Sequence, residues 1–522
     1  PDSEHFRTTA WPTGMRALTV LPFSGGSVLV AARSNYARPL QGNTREPLTL
    51  DPTDFLATAS VPLGAGSLTG MIFSSTDAIA FDAGTEPTLS PPLPRDNRLN
   101  WTSDARGLTW RRDTNNRSID LRVWQSGTTV GADWLSTSSS AFQLANRFVQ
   151  RAATSSLSWV GERTHTTLGA AIEQLTAGYV VSSPNSSDAL FSPPLLSATS
   201  RSVVASAFLE HSHAVTEHLS ATLGERVVSL DGKAPLFEPR VAVAFTASNG
   251  VALSAAFART HQYMQSLYND ESVVDAMASL EVPVLSGTAG VPTAISSSVS
   301  AQLDVPIGLG MFLTAAGFAR SFQGLALAGP SDGGPFPTHS VAFGSGSAYG
   351  GTLRVREHTG ALNLEGAYSV WGVSREWSER TYRPSFAPSQ NVLLAAGYQL
   401  GRNTILRASG SMTALRSTSP LVGAVAWDWQ DVLSTQREVS GSPQYSPATF
   451  GTGRLAPYLR IDVGVRQTLN FSGPLRGRAT LFANVDNVLD RRNTLGLVQD
   501  AGGTRRLGML PRSLSFGVTL GF

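Results

Sequence analysis

The last ten residues, 513–522, alternate without a miss: Leu514, Phe516, Val518, Leu520 and Phe522 fall on one side, and Ser513, Ser515, Gly517, Thr519 and Gly521 on the other. Successive side chains of a strand face opposite sides of its sheet, so this segment is a strand with one apolar face and one small or polar face. A half-exposed apolar strand at the edge of a soluble sheet invites edge-to-edge aggregation. A sheet closed on itself in a membrane has no edge, and lipid covers its outer face. The pattern therefore constrains the chain towards a closed barrel.

The rest of the chain parses as hairpins. Tight-turn signals recur at Phe23–Gly26, Leu63–Gly66, Asp113–Asn116, Gly161–Arg163, Thr216–His218, Ser248–Gly250, Gly308–Gly310, His358–Gly360, Gly401–Asn403 and Phe471–Gly473. Gly and Asn supply the positive φ that such turns need. Each turn joins two segments of period-two patterning, and longer irregular stretches lie between the pairs. Ten turns join twenty strands, the segment at about 511–522 adds one, and residues 1–12 must supply a first. The expectation is an all-β, antiparallel up-and-down barrel of about 22 strands, with short periplasmic turns and long extracellular loops. It spans 1–522 as a single domain. Within it, Leu459, Ile461, Val463 and Val465 alternate with Tyr458, Arg460, Asp462, Gly464 and Arg466. The first set is expected to face lipid and the second the lumen. Trp101, Trp110, Trp124, Trp159, Trp371 and Trp377 lie towards strand ends, where interfacial aromatic girdles sit. Soluble sandwiches or a propeller explain neither the terminal strand nor the alternation of short and long connections.

Composition agrees. Charged residues make up 15% of the 522, below the roughly 25% of soluble proteins. The 49 glycines and a mean hydropathy near zero suit strands shared between lipid and water. No run approaches the ~18 apolar residues of a membrane helix, and no linker divides the chain into soluble domains. With no cysteine, disulfides and thiolate chemistry are excluded. The net charge of +2 comes without a basic run, so nucleic acid is not an expected partner. There is no nucleophile elbow, no His-Glu-x-x-His and no phosphate loop. The chain does not read as an enzyme, and no cofactor is expected. No signal peptide is present, so Pro1 reads as the start of a processed or truncated chain.

Two resemblances follow. The closing strand, through Leu514, Phe516, Val518, Leu520 and Phe522, resembles the C-terminal signal that the barrel assembly machinery reads in bacterial outer-membrane proteins. The segment Ala456–Val465, then Phe482–Asn493 (Phe-Ala-Asn-Val-Asp-Asn-Val-Leu-Asp-Arg-Arg-Asn), then Leu510-Pro511-Arg512 is similar to the last three strands of TonB-dependent receptors. Val488, Leu489 and Asn493 stand where that family usually has Leu, Phe and Tyr. Phe208–Glu210 leading into Leu219–Gly224, and Ser27–Tyr36, add to the likeness. It implies an outer-membrane location among lipid and lipopolysaccharide, and import of a siderophore, cobalamin, sugar or peptide. The family also carries an N-terminal plug inside the barrel and a box that contacts TonB. Here the barrel pattern begins by about residue 15, so the expectation is a plug supplied separately or cleaved off, or another partner protein in the lumen. TonB enters only if a plug is present. The alternative is a plugless barrel acting as a scaffold or anchor in an envelope complex. A general diffusion pore is a third reading, disfavoured because such pores have fewer strands.

Candidate site residues are few. Tyr263, Tyr268, Trp371, Trp377, Tyr382, Trp427 and Trp429 lie on loops or strand ends, where aromatic faces bind sugars or flat chelates; the same residues suit an interfacial girdle. Arg460, Asp462 and Arg466 read as a lumenal charge ladder. His211 and His213, two apart on a strand with Glu210 and Glu217 nearby, have the spacing of a metal pair, or are polar residues facing a wet lumen. No dense acidic or His cluster points to uptake of a bare metal.

Overall fold

A computed structural model describes residues 6–12, 14–35, 48–50, 52–82, 96–137, 140–182, 196–267, 282–286, 291–308, 310–328, 341–377, 380–384, 387, 389–418, 452–471, 477–500, 503–509 and 511–522. They form a closed antiparallel barrel of 22 strands with no helix. The staves are β1 (Phe6–Trp11), β2 (Gly14–Phe23), β3 (Gly26–Asn35), β4 (Thr53–Leu63), β5 (Gly66–Asp82), β6 (Asp96–Asp113), β7 (Arg117–Thr137), β8 (Ser140–Val160), β9 (Thr164–Ser182), β10 (Leu196–Ala214) and β11 (Leu219–Leu230). They continue as β12 (Leu236–Thr246), β13 (Ala252–Gln262), β14 (Ala294–Gly308), β15 (Met311–Ala328), β16 (Val341–Thr359), β17 (Leu362–Trp377), β18 (Gln390–Leu400), β19 (Thr404–Ala414), β20 (Tyr458–Phe471), β21 (Gly477–Asp486) and β22 (Ser513–Gly521). Short strands at Leu48–Leu50 and Arg380–Tyr382 extend the sheet, and small hairpins lie outside it.

Each turn expected from the sequence joins two neighbouring staves, with Gly25, Gly64, Gly250, Gly308, Gly310, Gly360 and Gly401 at positive φ. The residues after Phe471 in the tenth turn lie outside the described set. The seam closes between the first and last staves. Thr9 pairs with Thr519 and their hydroxyls lie 2.9 Å apart. The Phe522 N–H donates to the Phe6 carbonyl at 2.9 Å and the Phe6 N–H returns the bond at 3.2 Å. At Gly517 an added Cβ would meet the Ala10 carbonyl oxygen and lie 2.6 Å from Cζ of Phe482. Only glycine leaves room there for the ring that covers the inner seam.

Register fixes the two faces, because residues directly opposite in an antiparallel pair share a side. Arg33 meets Asp54 and Ser75 in one row of the inner face; Thr9, Arg16 and Ser103 belong to the same row. The outer face carries exposed Leu63, Leu108, Leu121, Leu168, Leu209, Leu223, Phe245, Leu253, Leu303, Leu353, Leu394 and Phe516, the band that lipid covers. Leu514 and Phe522 belong to it, with half-buried Val518 and Leu520. Two sequence expectations change. Of the tryptophans, Trp110 and Trp159 face outwards near the periplasmic rim, whereas Trp101, Trp124 and Trp371 share the lumenal face. His211 and His213 face outwards, since Glu210 between them is the residue that turns in. The chain position of an aromatic or histidine says nothing about side; a one-residue offset decides it.

The wall is uneven. Staves β7 and β8 are 21 residues long, while β12 and β13 have 11. An 11-residue stave is about 36 Å long and, tilted by ~40°, just covers a ~25 Å apolar band.

Candidate functional site

Above the low wall the chain turns inwards. The strands Met264–Leu267 and Val282–Leu285 pair as a hairpin. Leu285 packs on Leu175, Ala177, Val204, Val228 and Leu230, with Phe148, Tyr263 and Met264 against the same cluster. These residues of β9–β11 lie on the inner face, so the hairpin folds into the mouth of the barrel. Its docking point is a bulge. Register slips between Gln323 and Leu325, where Gly324 has φ of 68°. That slip frees backbone groups, and buried Gln265 satisfies them: Nε2 donates to the carbonyls of Gly324 and Pro292 at 3.0 Å each, and Oε1 accepts from the Ala326 N–H at 2.7 Å.

Beneath the hairpin, Pro239 ends the β12–β13 ladder, because proline has no N–H to donate. The neighbouring Glu238 side chain takes over. Its Oε1 accepts from the backbone N–H of His261 (2.8 Å) and the hydroxyl of Tyr263 (3.2 Å), and lies 3.2 Å from His261 Nδ1. Arg226 stands 3.6 Å from Glu238 and 3.6 Å from Glu173, and donates to the Ser206 hydroxyl at 3.1 Å. Gln150 donates to Glu173 at 2.7 Å. Burial first, and Glu238 second, push the Tyr263 phenol well above its usual range. Every member of this group is committed to another member, so it holds the mouth together.

The C-terminal ladder forms in part. Arg460 Nε donates to both oxygens of Asp462 (2.7 and 2.9 Å), and its Nη2 donates to Asp486 at 2.8 Å. Arg466 shares the face, opposite Phe482, but makes no ion pair with a described residue. The ladder turns instead into the Asn487–Asn493 stretch. The Asn487 N–H donates to Asp462 at 2.8 Å from a residue at φ of 52°. Its side chain brackets the Arg491 backbone, donating to the carbonyl at 3.0 Å and accepting from the N–H at 3.2 Å. Asn493 does the same across the chain, with 3.0 and 2.9 Å bonds to Leu459. Asp490, also at positive φ, accepts from the Arg512 N–H at 2.9 Å. Asn and Asp tolerate that conformation and close local turns. The stretch that carries the family likeness is thus a clasp between β20, β21 and the segment leading to β22.

Among the described residues the aromatic candidates do not converge. Tyr263 follows β13 and Trp371 lies on β17, four strand spacings or roughly 20 Å along the wall. Tyr263 serves Glu238, and the Trp371 carbonyl accepts from Arg383 at 3.4 Å. Tyr382 sits in the short strand opposite Arg375. Trp377 ends β17, its side chain undescribed; Tyr268, Trp427 and Trp429 lie outside the described residues. The rings of His211 and His213 stack, with centroids 6.4 Å apart, and His211 Nδ1 is 2.8 Å from the Thr166 hydroxyl. Among the described residues no group of three or more His, Cys, Asp or Glu gathers to hold a metal.

What remains uncommitted is wall. In the lower half of β11–β16 the lumen has a recess of about 460 Å³, lined chiefly by small residues such as Ser220, Thr222, Ala256, Ser300 and Thr352, with Phe318 and Gln302 the larger ones. The Glu238 group went unseen in the sequence because Glu173, Arg226, Glu238 and His261 come from four staves. The one local signal was a proline inside an alternating strand beside a lumenal carboxylate.

A wide, closed, 22-stave cylinder with a lipid-facing band and a polar lumen defines an outer-membrane barrel of the receptor and transporter kind. The chain belongs to the TonB-dependent receptor β-barrel family: the profile "TonB dependent receptor-like, beta-barrel" matches residues 24–488. Its place is the outer membrane, and its relatives are transporters and receptors rather than enzymes. Solved structures share the fold. The ferric-catecholate import receptor Fiu from K12 E. coli superimposes with a TM-score of 0.69 at 11% identity, covering 100% of this chain and 82% of that one. The ferric yersiniabactin uptake receptor FyuA from Yersinia pestis gives 0.66 at 11%, covering 99% and 80%. The copper transporter OprC gives 0.68 at 11%, covering 99% and 80%. No curated protein sequence matches.

Proposed function

We propose that this barrel is the outer wall of an importer that carries a bulky solute, in the class of metal chelates, cobalamin, sugars or peptides, across the outer membrane. The observation that carries this reading is the inner wall. The described carboxylates of the Glu238 and Asp462 groups are held by neighbouring residues, while the recess over β11–β16 offers chiefly small side chains. Such a wall suits a guest that slides or is held loosely. Fiu and FyuA are receptors for iron chelates, and OprC transports copper, which supports a chelated metal as the first cargo to test. On this reading a plug fills the lumen, whether encoded with the barrel or apart from it, and TonB acts through that plug. The closing strand serves as the assembly signal.

The test is uptake in a deletion strain supplied with single labelled chelates, sugars and peptides. Loss of one cargo, restored by the gene, is expected. Undiminished import of all of them, together with a fixed partner protein recovered from the purified particle by mass spectrometry, would instead make the barrel a scaffold. A purified barrel that passes large solutes freely would refute the filled lumen.

A further inference from the structure

The outer face of β10 carries a pair that the transport reading does not use. His211 and His213 stand two residues apart near the periplasmic end of the stave, which stops at Ala214. Residues at i and i+2 of a strand share a side, so both imidazoles leave the barrel on one face. Both are exposed. Their rings are nearly parallel, with 10° between the planes and centroids 6.4 Å apart.

Level decides what can reach them. Trp159 stands in the same outward row as His211, with Thr166 between them. Leu209, two residues further up β10, is exposed and belongs to the lipid band. The pair therefore lies below the hydrocarbon, in the wet interface that the tryptophan marks, within reach of ions from the periplasm.

The surroundings leave the nitrogens available. The residues opposite are Thr166 and Leu223 for His211, and Thr164 and Ala221 for His213. None is charged, and the small Ala221 leaves the His213 ring room to turn. Thr166 does more, because its hydroxyl is 2.8 Å from His211 Nδ1. With the proton on Nδ1, the ring donates to that hydroxyl and presents the lone pair of Nε2 to solvent. A hydrogen bond at the far nitrogen, fixing tautomer and ring together, is the support that a metal-binding histidine needs. Histidine is also unevenly spread. Of the eight in the chain, His165, His211, His213 and His218 fall at this corner of the rim. His165 turns to the lumen opposite Ser212, and His218 rests against Phe245 with ring centroids 6.3 Å apart. His211 and His213 share both a face and a spacing.

We propose that His211 and His213 together bind one divalent transition-metal ion, Cu2+ ahead of Ni2+ and Zn2+, with water completing its shell. Imidazole nitrogens suit these ions, whereas the four facing side chains offer no carboxylate of the kind that Ca2+ or Mg2+ takes. Two nitrogens on one ion stand at most about 4 Å apart. The parallel rings therefore tip towards each other by turning about their Cα–Cβ bonds, which exposed side chains do readily.

The test uses the full chain in neutral detergent, freed of any histidine tag. It is titrated with a copper(II) salt alone and followed by calorimetry and electron paramagnetic resonance. One saturable Cu2+ per chain is expected, with a spectrum that shows coupling to two nitrogens. Zn2+ and Ni2+ should compete for the site and Mg2+ should not. H211Q and H213Q should each weaken binding at least about tenfold and remove one coupled nitrogen. T166V should weaken it a few-fold at unchanged stoichiometry, and H165Q and H218Q should match the parent. Since both rings are exposed, the variants should keep the parent's heat-modified gel mobility; if one does not fold, the parent's spectrum and the other single variant decide. A parent without saturable Cu2+, a spectrum without nitrogen coupling, competition by Mg2+ equal to that of Zn2+, or unchanged binding in H211Q/H213Q would each overturn the proposal. So would a loss in H165Q or H218Q as large as that in H211Q.

Discussion

Both faces of this barrel carry arginine, and the arginine–carboxylate pairs among the described residues lie on the inner one. Inside, Arg33 meets Asp54, Arg122 meets Asp120, Arg226 lies between Glu173 and Glu238, Arg354 meets Glu365 and Arg460 meets Asp462 and Asp486. Outside, on β6–β10, Arg151 meets amides. A cation with a carboxylate beside it stiffens a wall; a cation beside an amide has no opposite charge as neighbour. The same residue type thus has carboxylate partners at these inner positions and amide partners at Arg151, and register decides which face each takes.

That contrast can be broken by substitution. Glu238→Ala removes the hub of the mouth, leaves Arg226 with Glu173 and Ser206 alone, and takes the acceptor from the His261 N–H and the Tyr263 hydroxyl. It should cost about 3–5 kcal/mol in urea unfolding from detergent micelles, with Glu238→Gln milder; a loss below about 1 kcal/mol would mean that the inner group is not structural. Leu168→Arg puts a charge into the lipid band and should cost about 2–4 kcal/mol in vesicle refolding. Thr167→Arg, one residue away and turned inwards, should change stability by less than about 1 kcal/mol; equal costs would refute the assignment of faces. Gly517→Val crowds Phe482 and the Ala10 carbonyl, and should lower stability by about 1–3 kcal/mol, read from the seam by heat-modified gel mobility. Arg460→Gln loses half-exposed ion pairs and should cost about 1 kcal/mol. Arg151→Gln, alone on the outer face, should shift the unfolding midpoint by no more than about 0.5 kcal/mol.

The cylinder was legible because period-two patterning and turn chemistry are local. Phe23–Gly26 or His358–Gly360 needs only its own residues to declare a turn, and the terminal strand needs only its own alternation. Sidedness was not legible in the same way. Trp124 and His211 fall on faces set by hydrogen bonds to neighbours far off in sequence, and one residue of slip reverses them. The Asp462 pairing with Arg460 was visible as an i, i+2 pattern on one strand. Its extension to Asp486 and Asn487, and the absence of Arg466 from it, depended on how β20 lies against β21. The described aromatic candidates, Tyr263, Trp371 and Tyr382, lie apart, and loop composition carries no information on which loops meet.

The unequal lengths of the staves shape how anything reaches the lumen. With ten more residues, β7 and β8 rise roughly 25 Å beyond β12 and β13 along the membrane normal. The rim is cut on a slant, like the lip of a scoop. A visitor skimming the cell surface meets a high backstop on one flank and a doorstep on the other, and the tucked hairpin stands on the doorstep. Entry is therefore directional before any specific recognition begins.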